Sequence, residues 1–303
     1  MTGLLSVDLP EAFPSSLRMK ASLVTPDGWD AEALLICLPG GGASRRYFEL
    51  GEYEGVDFGF ASRMAKHGFA SLLIDHPGTG DNVLADDFPF FTPRQAVDIL
   101  GAAIPKLIKQ AGISPRRLIC VAHSMGGMMA TLLQARHRLF SGMALFGSSA
   151  RGLDWGLTPE ELTYIDQPDA LERDLEDLVL KRYGALFPAG LGGPSGKSIT
   201  FGGSSEELTK RLREVATPLF AAGATTSMTR GAFAPEAAII DVPMLFAFGD
   251  HDIGAPAEEV PQDFPNAADI QTLVLEQTGH NHFAFPTIVQ LADTVAEWAA
   301  GIS

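Results

Sequence analysis

The strongest constraint on this chain is an alternation of short apolar runs with longer helical stretches. Ala33-Leu34-Leu35-Ile36-Cys37-Leu38 is apolar at every position and stops at Pro39. Phe69 to Ile74, Arg117 to Ala122, Ser141 to Phe146, Pro243 to Phe248 and Gln271 to Leu275 read as further strands. Successive side chains of a strand point to opposite faces, so a continuously apolar strand is buried on both. Helices fit between these runs. Thr92 to Gln110 puts Ala96, Ile99, Leu100, Ala103, Ile104 and Leu107 on one stripe. Thr92 suits an N-cap, Pro93 the first helical position and Gly112 the stop, while Pro105 predicts a kink. Phe58 to His67, with Asp57 as N-cap and Gly68 as its end, Met125 to His137 and Thr287 to Ala300 complete the helical set. The expected class is α/β: a mainly parallel central sheet with helices on both faces. Leu17 to Pro26 alternates weakly and fits an antiparallel edge hairpin.

Beyond Phe146 the alternation breaks, and it resumes only near Asp241. Helical pieces fall at Pro159 to Asp166 and Ala170 to Tyr183, and Ala189 to Ser205 is rich in glycine. This insertion reads as a cap over one end of the sheet. The expected organisation is therefore a core of 1–148 and 241–303 and a cap of 149–240, with no internal repeat.

Composition narrows the partners. With 46% apolar and 19% charged residues, the 303-residue chain can bury a large core, and disorder is not expected. A formal net charge of -15 disfavours nucleic acid and anionic membrane, which need clustered Lys and Arg. Cys37 and Cys120 both sit in apolar strands and read as small buried side chains of a reducing compartment, not as a disulfide scaffold. Met1 to Pro14 has no basic region followed by an apolar stretch, so no signal peptide is expected. No apolar run is long enough to span a bilayer. A cytoplasmic location is the expectation, and a homo-oligomer is left open.

The chemistry concentrates in Leu118-Ile119-Cys120-Val121-Ala122-His123-Ser124-Met125-Gly126-Gly127, an apolar strand running into a serine and then a helix. A serine hydroxyl is a poor nucleophile and must be held exposed beside a base. A sharp strand-to-helix turn does this, provided that small residues lie two positions either side. Ala122 and Gly126 meet that need. The helix also directs its positive end at the site, where an oxyanion would form.

Ala122-His123-Ser124-Met125-Gly126 resembles the nucleophile elbow of α/β-hydrolases, with Ala in place of the usual first Gly. Leu38-Pro39-Gly40-Gly41-Gly42 resembles the oxyanion loop of that family, with Pro39 where His is common. The resemblance implies one N–H donor at Met125 and a second at Gly41, with Gly42 next. Asp75-His76-Pro77-Gly78-Thr79-Gly80 resembles the family's structural Asp-x-x-Gly-x-Gly turn.

The family order, Ser then acid then His, directs attention to the C-terminal third. Gly279-His280 follows the last strand and implies His280 as base, with His282 as an alternative base or a pocket residue. His123 is expected to point away from the serine. Gly249-Asp250-His251-Asp252 implies Asp252 as the acid that fixes the imidazole tautomer. Asp250 is an alternative that better suits a loop cap, and Asp154, after the Ala144-Leu145-Phe146 strand, is another.

Such a triad implies a serine hydrolase working through an acyl-enzyme, with no metal or organic cofactor. The cap carries Trp155, Leu157, Phe187, Phe201, Leu219, Phe220, Met228 and Phe233. Trp155, Phe187 and His282 are candidate substrate contacts, and an apolar lining implies a small apolar ester or lactone as substrate. Carbon–carbon bond hydrolysis, acyl transfer, thioester hydrolysis and simple ligand binding use the same fold.

Overall fold

A computed structural model describes residues 2–9, 17–85, 88–189 and 202–302. Its centre is an eight-stranded sheet of order β1-β2-β6-β3-β7-β8-β9-β10. The strands are β1 (Thr2–Leu9), β2 (Leu17–Val24), β3 (Ala33–Leu38), β6 (Ala70–Ile74), β7 (Arg117–His123), β8 (Gly142–Phe146), β9 (Met244–His251) and β10 (Ile270–Gly279). A small separate hairpin joins β4 (Glu52–Tyr53) to β5 (Val56–Asp57). From β6 to β10 every pairing is parallel, whereas β2 runs antiparallel to both β1 and β6. The edge hairpin thus exists, but its first arm is Thr2–Leu9, upstream of the segment that alternates.

All six residues of β3 are buried, and they divide by parity. Leu34, Ile36 and Leu38 join the core beneath α2 (Pro93–Gln110) and α3 (Met125–His137). Ala33, Leu35 and Cys37 join the opposite core beneath α1 (Phe60–Lys66) and α8 (Ile288–Ala300). Two helical layers on one parallel sheet explain why these strands read as unbroken apolar runs. Both free cysteines are buried in it.

The helix signals act as their chemistry dictates. Thr92 and Gln95 form a capping box, with Gln95 Oε1 accepting the Thr92 N–H at 2.9 Å. α2 continues through Pro105 without interruption. α1 begins at Phe60 with Gly59 at its N-cap, two residues later than the sequence suggests. Asp57 instead ends β5, accepts the Gly59 N–H at 2.9 Å and pairs with Lys66.

Between β8 and β9 lie α4 (Pro168–Tyr183), α5 (Glu206–Glu214), α6 (Ala221–Met228) and α7 (Ala234–Ala237), with 3-10 turns at Asp154–Gly156 and Glu161–Tyr164. The expected glycine-rich stretch falls mostly on residues 190–201, outside the described residues, as does Phe201. The insertion is fastened to the core at several places: Arg94 binds Glu172, Glu236 and the Ala232 carbonyl, Arg211 binds the Leu50 carbonyl, and the Ser204 N–H bonds the Ala284 carbonyl. Ala216 bridges to Ala43, the Thr217 N–H bonds the Gly42 carbonyl and the Ser44 N–H bonds the Val215 carbonyl. Among the described residues no helix is long and apolar enough to cross a membrane.

Candidate active site

β7 leads directly into α3 through Ser124, whose φ of 53° and ψ of -123° lie in a strained region for a residue with a side chain. The turn is sharp because α3 packs end-on against the end of β3. A Cβ on Gly126 would lie 2.5 Å from the carbonyl oxygens of both Leu38 and Pro39, so only glycine fits there. Ala122 is fully buried in β7, and its methyl is accommodated where glycine is usual.

β7, β8, β9 and β10 are successive parallel neighbours, so their C-terminal ends share one edge of the sheet. The sequence reading stops β9 at Phe248 and β10 at Leu275; both strands continue, and Gly279 pairs with His251. This extension sets His280 beside Asp252. His280 Nδ1 is 2.6 Å from Asp252 Oδ1, and Nε2 is 2.8 Å from Ser124 Oγ. A carboxylate only accepts, so Nδ1 carries the proton and Nε2 is left to accept from the serine hydroxyl. Asp252 also accepts the Ile253 N–H at 2.7 Å, and His282 Nε2 lies 2.9 Å from its Oδ2. Burial by itself would raise the Asp252 carboxyl, but hydrogen bonds and charge from His280 and His282 hold it well below the usual carboxylate range.

Ser124 opens on a cavity of about 60 Å³, lined by Gly40, Gly41, Tyr47, Met125, Leu153, Leu219, Ala224, Ser227, Met228, Ile253 and Asn281 among others. A second lobe of about 40 Å³ shares Ser124, Met125, Leu153, Ser227, Ile253 and His280 and adds Ser148, Ser149 and Phe248. Among the described residues no Asp, Glu, Lys or Arg lines either lobe. Among the described residues no carbonyl accepts the N–H of Gly41 or of Met125, and both residues stand on the cavity wall. A roomier depression beside α8, bordered by Gln290, Asp293 and Glu297, is shallow and open, with no such constellation.

A sequence model of the alpha/beta hydrolase family matches residues 35–294. The chain belongs to the alpha/beta hydrolase family. A search of curated protein sequences finds no match. Among solved structures, this hydrolase is similar to a thermophilic esterase from Thermogutta terrifontis, with TM-score 0.63 and 16% identity over 98% of both chains. It is also similar to the N-acyl homoserine lactonase AidH, with TM-score 0.59, 16% identity, and 99% of this chain and 98% of that one covered. Epoxide Hydrolase A from Mycobacterium thermoresistibile gives TM-score 0.61 and 14% identity, covering 100% of this chain and 99% of the other. At these identities the likeness is one of fold.

Within the hydrolase site, the expected residues divide clearly. Ser124, His280 and Asp252 meet, as do Gly41 and Met125 at the cavity wall. Gly42, the second oxyanion candidate, stands off the wall, because its φ of 76° turns its carbonyl to Thr217. Asp250 accepts the N–H groups of Gln277 and Thr278, both at 2.9 Å, and so ties β9 to β10. Asp154 is drawn to Arg230 on the insertion, 3.6 Å away, and makes no contact with His280. His282 reaches Asp252 but not Ser124, and it does not line the cavity. Trp155 is 59% exposed and off the cavity. Phe187 is also off it: the ring packs on Phe91 and Phe220 and covers Gly78, where a Cβ would lie 2.0 Å from it.

His123 does not simply point away. Its ring lies 4.7 Å from that of His280, centroid to centroid, and its Nε2–H donates to the His280 carbonyl at 2.7 Å. His76 is a buried brace whose Nε2–H donates to the Pro39 carbonyl at 2.8 Å and steadies the glycine loop. Arg45 carries no sequence signal, yet both its backbone N–H and its guanidinium bind Asp75 in the neighbouring turn. Leu219 and Met228, two of the apolar residues of the insertion, line the cavity, whereas Tyr47, Ser227 and Asn281 are pocket residues that no local pattern marks.

Proposed function

We propose that this hydrolase cleaves an uncharged carboxylic ester or lactone through a Ser124–His280–Asp252 triad. The reading rests on one observation: Ser124 Oγ, within hydrogen-bond reach of a carboxylate-anchored imidazole, faces a cavity lined, among the described residues, by no carboxylate or cationic side chain. Ser124 attacks the acyl carbonyl while His280 Nε2 takes its proton. The oxyanion rests on the N–H groups of Gly41 and Met125, helped by the positive end of α3. His280 then protonates the leaving oxygen, and water completes the cycle through the same imidazole. Leu153, Leu219, Met228 and Ile253 favour apolar groups on either side of the carbonyl. The small free volume favours short acyl chains, with the insertion acting as a cap over both lobes.

The test is labelling with a fluorophosphonate, followed by turnover of a panel of p-nitrophenyl esters and lactones by wild type and Ser124→Ala. The label should land on Ser124, and Ser124→Ala should be inert. Activity that survives Ser124→Ala would overturn the mechanism. Turnover confined to epoxides would overturn the substrate class.

A further inference from the structure

Asp252 is gripped by two histidines, and only one of them reaches Ser124. Oδ1 receives His280 Nδ1–H at 2.6 Å and the Ile253 N–H at 2.7 Å, and Oδ2 faces His282 Nε2 at 2.9 Å. The Gly249 N–H lies between Oδ2, at 3.4 Å, and His282 Nε2, at 3.2 Å, and with Nε2 protonated its acceptor is Oδ2. The Asp252 side chain is 6% exposed and that of His282 is 0% exposed. We propose that His282 is a positioning residue, which holds Asp252 by its second oxygen so that the first is delivered to His280. This deepens the triad reading above and rests on it.

Three observations carry the assignment. First, Asp252 accepts at Oδ2, so His282 bears its proton on Nε2 and donates. With a donor on each oxygen, the carboxylate cannot turn about its own axis without breaking one bond to keep the other. Second, His282 Nδ1 is buried and has no partner among the described residues. A proton there would be a buried donor without an acceptor, so His282 stays neutral and cannot serve as a second base. Burial also lowers this imidazole, against the pull of Asp252. Third, the ring is fully buried and three other rings pack around it. His123 of β7 stands edge-on at 5.4 Å, Phe146 of β8 at 6.4 Å, and His280 at 6.3 Å on its own loop. Among the described residues the titratable groups facing it are therefore Asp252, His123 and His280, of which His123 is held neutral by burial.

A donor on Oδ2 has an electrostatic consequence as well. It takes up part of the negative charge of Asp252, which would otherwise bear more fully on the His280 imidazolium. Removing His282 Nε2–H leaves only the longer Gly249 N–H contact on that oxygen, so more of the charge bears on His280 and the acid limb of the pH–rate profile should move to higher pH.

The test compares His282→Phe, which keeps a ring and deletes the donor, with His282→Gln, whose Nε2 replaces it. Loss of carboxylate alignment should lower kcat about 10- to 100-fold in His282→Phe with little change in KM. The acid limb should rise, and His282→Gln should restore most of both. A folded His282→Phe with wild-type kcat and pH profile would overturn the proposal. Long-range proton–nitrogen NMR spectra of the wild-type imidazoles supply a second readout, independent of whether His282→Phe folds. His282 should remain the neutral Nε2–H tautomer while His280 titrates; a His282 that titrates beside it, or protonates on Nδ1, would also overturn the proposal. Ser124→Ala separates the two readings. If it stays active, the triad itself fails; if it is dead while His282→Phe is fully active, only the positioning role fails.

Discussion

Ser124 Oγ and His280 Nε2 lie 2.8 Å apart although 156 positions separate them in the chain. Neither residue is brought there by its own local structure alone. Ser124 is held up by the strained turn between β7 and α3, and His280 leaves β10 three strands away along the same sheet edge. The contact exists because parallel strands all end on one side.

The strain at Ser124 predicts a trade between stability and activity. A non-glycine residue in such a conformation stores about 1–3 kcal/mol, and glycine would release it at an entropic cost of about 0.5–1 kcal/mol. Ser124→Gly should therefore be inactive yet melt about 2 °C higher than wild type. Ser124→Ala, which keeps a Cβ, should be equally inactive without that gain. Calorimetry decides: a Ser124→Gly variant that melts lower than Ser124→Ala contradicts the strain argument.

Asp252→Asn should be far worse than its near-identical shape suggests. An amide offers one acceptor oxygen to two imidazole N–H groups and turns a donor on the other. His280 or His282 must then change tautomer or lose its bond. In Ser-His-Asp enzymes this change costs about 10⁴-fold in kcat, and with the proposed triad the same fall is expected here. Stability should also drop by about 1–3 kcal/mol, as for a buried polar group left unpaired. Steady-state kinetics and urea titration measure the two effects, and an Asn variant within about tenfold of wild type would exclude Asp252 as the acid.

Stability should decline in mild acid, well above the carboxylate range. His76, His123 and His282 are all lowered by burial from their ordinary 6.5. Below that pH the unfolded chain binds protons that the folded protein refuses. Each such histidine costs about 1.4 kcal/mol per pH unit until its folded value is reached. Asp252 acts in the same direction, but only once pH falls below its unfolded value of 3.8. Glu49 and Asp263, raised by burial, oppose it near the carboxylate range. The melting temperature should be highest above about pH 7 and fall steadily towards pH 5. A flat profile in scanning calorimetry across that interval would show that these imidazoles protonate freely.

Leu219 should set the acyl length. It lines the cavity beside Gly41, its Cδ1 3.0 Å from where a Cβ on Gly41 would lie. Leu219→Ala opens that wall beside the proposed oxyanion donors. Relative kcat/KM should shift towards acyl chains one or two carbons longer by about tenfold, the usual worth of a methylene in an apolar pocket. An unchanged chain-length preference would place the acyl group in the other lobe, against Ser148 and Phe248.

The local pattern of the sequence determined much of this protein. Strands that must be buried on both faces, such as β3, have no polar residues to spare, and that alone dictates a parallel sheet between helices. The elbow at Ser124 was legible for the same kind of reason, since Ala122 and Gly126 answer a local steric demand. The Thr92 N-cap is a local signal too. What the sequence left open was decided at a distance. His280 and His282 stand two positions apart in similar company, and only the long β9–β10 pairing turns one to Ser124 and the other to Asp252 Oδ2. Trp155 and Phe187 looked alike as aromatic cap residues, but packing put one in solvent and the other over Gly78. Asp154 was a suitable acid until the fold set Arg230 beside it. Local spacing fixes which side chains share a face or a turn; which oxygen meets which nitrogen across 156 residues depends on how strands from distant parts of the chain come into register.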